Sequence, residues 1–167
     1  MKEKSQNKEL FMTHFFDAPI GVVFEAWTDP EKLKHWYAPD GCSIEYKSIE
    51  VKKGGSFHYY INHPLHGGAW VKGIYLEIMP PERLVFSIHL SNERGDMINA
   101  SADGKSAGWP GEVRTTVTFE YIGNQTKATI HEAVSEEEAR KTGAYKGWIE
   151  MFNKLNRLLT GPLPAQF

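Results

Sequence analysis

The chain has one cysteine, Cys42, in 167 residues, which excludes an internal disulfide and a cysteine-based zinc site. It has no charge of one sign to spare. With 19 Lys and Arg against 21 Asp and Glu, the formal charge is −2. That gives no electrostatic basis for gripping nucleic acid or an anionic membrane, both of which call for basic patches. No apolar run reaches the roughly 18 residues that a membrane-spanning helix needs. The polar stretch Met1 to Glu9 lacks the apolar segment of a secretory leader. There is no internal repeat and no low-complexity tract. Together these absences predict a cytoplasmic protein. Lys53-Gly54-Gly55 has the look of a turn, without the spacing of a phosphate or dinucleotide loop, so no cofactor is expected. Seven histidines show no established ligand spacing such as HExxH, so no metal is expected either. Cys42 has no adjacent activating base in the sequence.

What the chain does have is aromatic surface: five Trp, seven Tyr and nine Phe, each a large area to bury. Leu10 to Phe16 reads as a strand. Pro19 then opens an amphipathic helix carrying Ile20, Val23, Phe24 and Trp27 at three- and four-residue spacing. Asp29-Pro30 is a second helix start, followed by Leu33, Trp36 and Tyr37 before Pro39 and Gly41 end the element. Six strands follow, over 43–51, 56–62, 69–79, 83–90, 112–121 and 126–134. The fourth and fifth of these alternate cleanly, with Leu84, Phe86, Ile88 and Leu90 on one face and Val113, Val117, Phe119 and Tyr121 on one face. Short turns between successive strands imply an antiparallel meander. The exception is the stretch 92–111, which is longer than most connections in compact domains and is therefore expected to be functional or disordered. Ser135 and Glu138 form a capping-box pattern. An apolar stripe from Tyr145 through Trp148, Ile149, Met151, Phe152, Leu155, Leu158 and Leu159 predicts a last helix over about 136–160. Gly143 and Gly147 within it mark either a kink or a late start near Ala144.

A sheet with one apolar face needs a cover, and only the final helix is long enough to supply it. The predicted class is α+β, one domain over 8–160 with tails at 1–7 and 161–167. In this order the residues resemble the START-like (SRPBCC, helix-grip) superfamily. Within it they resemble the bacterial family related to the C-terminal domain of the activator of Hsp90 ATPase. The resemblance is carried by Asp17-Ala18-Pro19 with Val22-Val23-Phe24 and Ala26-Trp27, and by Thr28-Asp29-Pro30-Glu31 with Leu33 and Trp36. Lys53-Gly54-Gly55 with Phe57, Gly73 to Ile78, Pro80 to Phe86, Val117 to Phe119 and Gly147-Trp148 complete it. It implies a curved antiparallel sheet of six or seven strands wrapped around a long C-terminal helix, two short helices after the first strand, and a cavity between sheet and helix. It implies no single function, since fold does not fix function.

Trp36, Tyr37, Phe57, Tyr59, Ile61, Trp70, Ile74, Phe86, Ile88, Phe119, Trp148, Met151 and Phe152 sit on the faces that should meet inside such a grip. They are the expected lining of a site for a small hydrophobic molecule, aromatic or acyl in character, held against Trp148 and Phe152. Plain core is the alternative for each of them. Lys72 shares parity with Trp70 and Ile74. Either a bulge shifts the register there, or the residue reaches solvent near a strand end, or it anchors an anionic ligand. Glu132 shares parity with Ile130 and Val134. It is either a strand-end carboxylate satisfied by a neighbour or an acid in an apolar cavity with a raised pKa. His58 and His89 fall opposite the apolar faces, where solvent exposure is expected. Trp109 is the candidate gate. No catalytic residue is assigned. The alternatives to ligand binding are a co-chaperone-like module acting on an Hsp90-type ATPase, and a cyclase- or hydrolase-type enzyme using Glu132, Tyr59 and Lys72. The chain is expected to be a monomer or a weak homodimer.

Overall fold

The computed structural model describes residues 8–65, 67–98 and 111–160. Seven strands form one antiparallel sheet: β1 (Glu9–Phe16), β2 (Ser43–Ile49), β3 (Ser56–His63), β4 (Gly67–Met79), β5 (Arg83–Ser91), β6 (Val113–Ile122) and β7 (Gln125–Ser135). Their order across the sheet is β1-β7-β6-β5-β4-β3-β2, so the meander from β2 to β7 is closed by β1 pairing with the last strand. Helices α1 (Ile20–Thr28) and α2 (Pro30–Trp36) link β1 to β2, and α3 (Glu136–Thr142) and α4 (Ala144–Thr160) follow β7. This is the α+β helix-grip architecture expected from the sequence.

Local chemistry sets the helix boundaries. Pro19 precedes α1, and its carbonyl accepts from the Val22 and Val23 N–H groups. Asp29 caps α2, its Oδ1 accepting from Glu31 N at 3.0 Å with Pro30 in the first turn. Ser135 caps α3 in the same way, accepting from Glu138 N at 3.1 Å. Gly143 then takes a left-handed conformation, with φ of 90°, which a side chain would resist. The single helix over 136–160 is therefore two, and regular helix begins at Ala144. The buried stripe of α4 is also narrower than its apolar sequence. Trp148, Met151, Phe152 and Leu155 are buried, while Ile149 and Leu158 are exposed.

The core centres on Trp27. Its ring meets Trp36 at 4.7 Å, Phe119 at 5.8 Å, Trp148 at 6.0 Å and Phe152 at 6.4 Å between centroids, within the range where aromatic pairs attract. The Trp36 Nε1 proton goes to the Ala26 carbonyl at 2.9 Å, locking α2 against α1. Lys154 of α4 donates to the Ala38 and Pro39 carbonyls at 2.6 and 3.2 Å, and the Asp40 N–H donates to Glu150 at 3.0 Å. These bonds tie the segment after α2 to the last helix and fix the approach of Tyr37 and Pro39.

On the sheet, Phe57 crosses Gly73 of β4, which lies directly opposite it. A Cβ at Gly73 would overlap both the Phe57 ring and the Ser87 carbonyl. Gly73→Ala is therefore expected to destabilise the protein by about 1–3 kcal/mol, the usual cost of overpacking, as read from urea unfolding. An unchanged midpoint would show that β4 and β5 separate at no cost.

A cavity between the sheet and the last helices

Side chains on the concave face do not fill it evenly. At one end of the sheet, α1 and α2 press Trp27, Leu33 and Tyr37 onto Tyr46, Phe57, Tyr59, Tyr75, Leu84 and Phe86. The void left there is about 20 Å³, room for roughly one water. Towards the other end lies an open cavity of about 670 Å³. Its floor is Tyr59 and Ile61 of β3, Val71 of β4, and Ile88 and Leu90 of β5. Its far wall is Trp148 and Met151 of α4, with Tyr37 and Pro39 closing one side. Gly67, Gly68, Gly143 and Gly147 border it, as do His63, His89 and Thr142.

Glu132 is the one acidic residue in that lining. It alternates inward with Ala128, Ile130 and Val134 on β7 and is 3% exposed. Thr115, opposite it on β6, donates its hydroxyl to Oε2 at 2.9 Å. Oε1 is buried and has no hydrogen-bond partner among the described residues. Burial pushes the carboxyl above its usual 4.5, while the Thr115 hydroxyl, the Trp148 side chain and the His131 charge pull the other way. Tyr37 and Tyr59 are raised as well, first by burial, then by neighbouring tyrosines and by Glu132. Both remain neutral phenols able to donate. Cys42 is likewise pushed up by burial, the wrong direction for a nucleophile.

Six of the expected lining residues meet at the cavity: Tyr37, Tyr59, Ile61, Ile88, Trp148 and Met151. Phe57 and Phe86 line the smaller void instead. Trp36, Phe119 and Phe152 are core: each is buried among other rings, and none borders either space. Trp70 and Ile74 are corrections. Tyr59 pairs with Val71 and Phe57 with Gly73, so the inward set on β4 is Val71, Gly73 and Tyr75. Trp70 lies on the convex face against His58 and Tyr60, at 4.8 and 5.0 Å, and Ile74 is 37% exposed. Lys72 goes with them. It sits on the convex face opposite His58 and His89, with its stem close to Gly95, and cannot anchor a ligand in the cavity.

His58 is not solvent-exposed, as its parity suggested, but 4% exposed beneath Trp70. Its Nε2 donates to the Asn92 carbonyl at 3.1 Å, and burial lowers its pKa. Among the described residues, no group of three or more His, Cys, Asp or Glu could hold a metal ion. The candidate gate Trp109 lies outside the described residues, as does His66. Val71, Leu90, Pro39 and the rim glycines were not anticipated. Two sequence signals bore on them: Leu90 shares a face with Phe86 and Ile88, and Gly143 marked the break between α3 and α4, which runs on through Gly147.

With the geometry established, comparison with known proteins is informative. The family model for Activator of Hsp90 ATPase homolog 1-like protein matches residues 17–160. No curated protein matches significantly. Among solved structures, a Staphylococcus epidermidis protein is 24% identical with a TM-score of 0.77, over 95% of this chain and 93% of that one. Protein Ms6760 of Mycobacterium smegmatis is 18% identical with a TM-score of 0.79, over 95% and 94%. The AHSA1 protein of Silicibacter pomeroyi is 15% identical with a TM-score of 0.71, over 90% and 96%. At these identities the likeness is one of fold.

The Glu132 environment gives a pH prediction. A carboxyl with a raised folded pKa binds its proton more tightly in the fold than in the unfolded chain, so stability falls as pH rises from 4.5 to the folded value, and is then level. Glu132→Gln keeps the bond from Thr115 and removes the titration. Its urea midpoint is expected to decline less than wild type across that window. Parallel profiles would show that Glu132 titrates normally.

Proposed function

The chain belongs to the family of Activator of Hsp90 ATPase homolog 1-like proteins, and for it we propose a role in binding a small hydrophobic molecule between the sheet and the last helix. The observation that supports this is the size and lining of the cavity. At about 670 Å³ it falls within the range of small-molecule sites, which are mostly apolar with a few polar groups to orient the ligand. Ile61, Val71, Ile88, Leu90 and Met151 supply the apolar surface. Trp148, Tyr37 and Tyr59 supply flat rings with polar tips. A cytoplasmic location and a single domain over 8–160 belong to the same reading.

A second reading, a co-chaperone-like interaction module, follows from the family's name. It is supported by Phe11 and Phe15, which are 58% and 45% exposed on the outer face of the edge strand β1. The enzymatic reading loses Lys72 and keeps Glu132 and Tyr59. Among the described residues, no helix is long and apolar enough to cross a membrane.

The binding reading is tested by calorimetric titration with the neutral probe N-phenyl-1-naphthylamine. Wild type is expected to bind it in the micromolar range. A Val71→Trp/Ile88→Trp variant, whose two indoles occupy the floor, is expected to bind at least about tenfold more weakly, a change of about 1.4 kcal/mol. Equal affinity in the two proteins would place the probe elsewhere.

A further inference from the structure

The cavity has a chemical bias as well as a size. The only acidic side chain bordering it is Glu132, and no Lys or Arg borders it among the described residues. The partners of Glu132 are donors: Thr115 gives its hydroxyl to Oε2 at 2.9 Å, and the indole of Trp148 lies beside the carboxyl. A carboxyl surrounded by donors is set up as an acceptor. Only Oε2 is held by a well-formed hydrogen bond; Oε1 is buried without one, although the Trp148 indole is close by. Leaving such an acceptor unsatisfied is costly, and supplying its donor recovers that cost. The terminal torsion of a Glu side chain is broad, so a small rotation turns Oε1 towards the cavity.

We propose that this cavity selects apolar molecules carrying a hydroxyl or N–H donor, which Glu132 accepts, and discriminates against those carrying a carboxylate. The proposal rests on the binding reading above and narrows its ligand class. A carboxylate ligand would set a second acid against Glu132, and no Lys or Arg among the described residues borders the cavity to offset it, where the basic side chains are the imidazoles of His63 and His89. A donor-bearing ring would lie on Trp148 with its polar edge at Glu132. The neutral hydroxyls of Tyr37 and Tyr59 border the same space.

The test compares three probes of one shape, 2-naphthol, naphthalene and 2-naphthoate, titrated into the full chain at neutral pH. The naphthol is expected to bind about tenfold or more tighter than naphthalene, the scale of satisfying one buried acceptor, and the naphthoate weakest. In Glu132→Gln the naphthol advantage is expected to shrink to about twofold while naphthalene is unchanged. Should that variant fail to fold, carbon NMR of the wild-type Glu132 carboxyl decides the matter. Its resonance moves on adding naphthol and stays in place with naphthalene. Equal binding of naphthol and naphthalene, or tightest binding of the naphthoate, overturns the selectivity and leaves the cavity reading standing. Binding of none of the three removes the cavity reading and the selectivity with it.

Discussion

The structure depends on a mismatch of widths. Seven strands at about 4.8 Å spacing make a sheet nearly 30 Å across, while one helix with its side chains is about 10 Å wide. No single helix can cover the concave face. The chain supplies two more, α1 and α2, between β1 and β2, and joins all three through one buried indole. Trp27 touches Trp36, Phe119, Trp148 and Phe152, so a residue of α1 sets the distance between α2, the sheet and α4. That cluster dries out one end of the concave face down to a void of one water. Beyond its reach, no cluster of equal bulk among the described residues covers Ile61, Val71, Ile88 and Leu90. The cavity is what remains where the helices leave that part of the face uncovered.

Much of this was legible in the sequence, because element boundaries are local chemistry. Asp29-Pro30, Ser135 with Glu138, and the alternation of β5 and β6 each act within a few residues, and each lies where its pattern placed it. The failures share one cause. Trp70 and Ile74 were expected inward, and Lys72 shared their parity with its direction left open, because aromatic and aliphatic residues occupy both parities of β4. What decides between the parities is the residue across the strand: Val71 faces Tyr59 and Gly73 faces Phe57. That register is long-range information. The bulge between Tyr75 and Glu77 breaks the alternation further along the same strand, so the pattern could not correct itself. His58 failed for a related reason. An outward side chain is exposed only if nothing folds over it, and Trp70 and Asn92 do.

Glu132 shows the same division between local and distant. Its parity on β7, shared with Ile130 and Val134, was readable and left an inward carboxyl as one of two alternatives. Its partner was not readable. Thr115 lies directly across the ladder on β6, and only that pairing shows which oxygen is held and which is left over. The neighbourhood also explains why the group is costly to ionise there. Rings and aliphatic chains replace the water that would stabilise the charge, and a single hydroxyl with a nearby indole compensates in part. Sites of this kind are usually the ones where a chain gives up some stability for recognition.

The rim has a consequence for how such a protein diversifies. Gly67 and Gly143 hold positive φ, and a Cβ at Gly68 would run into Tyr60, whereas one at Gly147 would meet Pro39 at an ordinary contact distance of 3.4 Å. At Gly67, Gly68 and Gly143 a side chain would strain the backbone or collide with Tyr60, so substitution at these three costs the fold before it alters the opening. Change in the volume of the cavity falls instead to its floor, at Ile61, Val71, Ile88 and Leu90, where side chains can be exchanged without disturbing a turn.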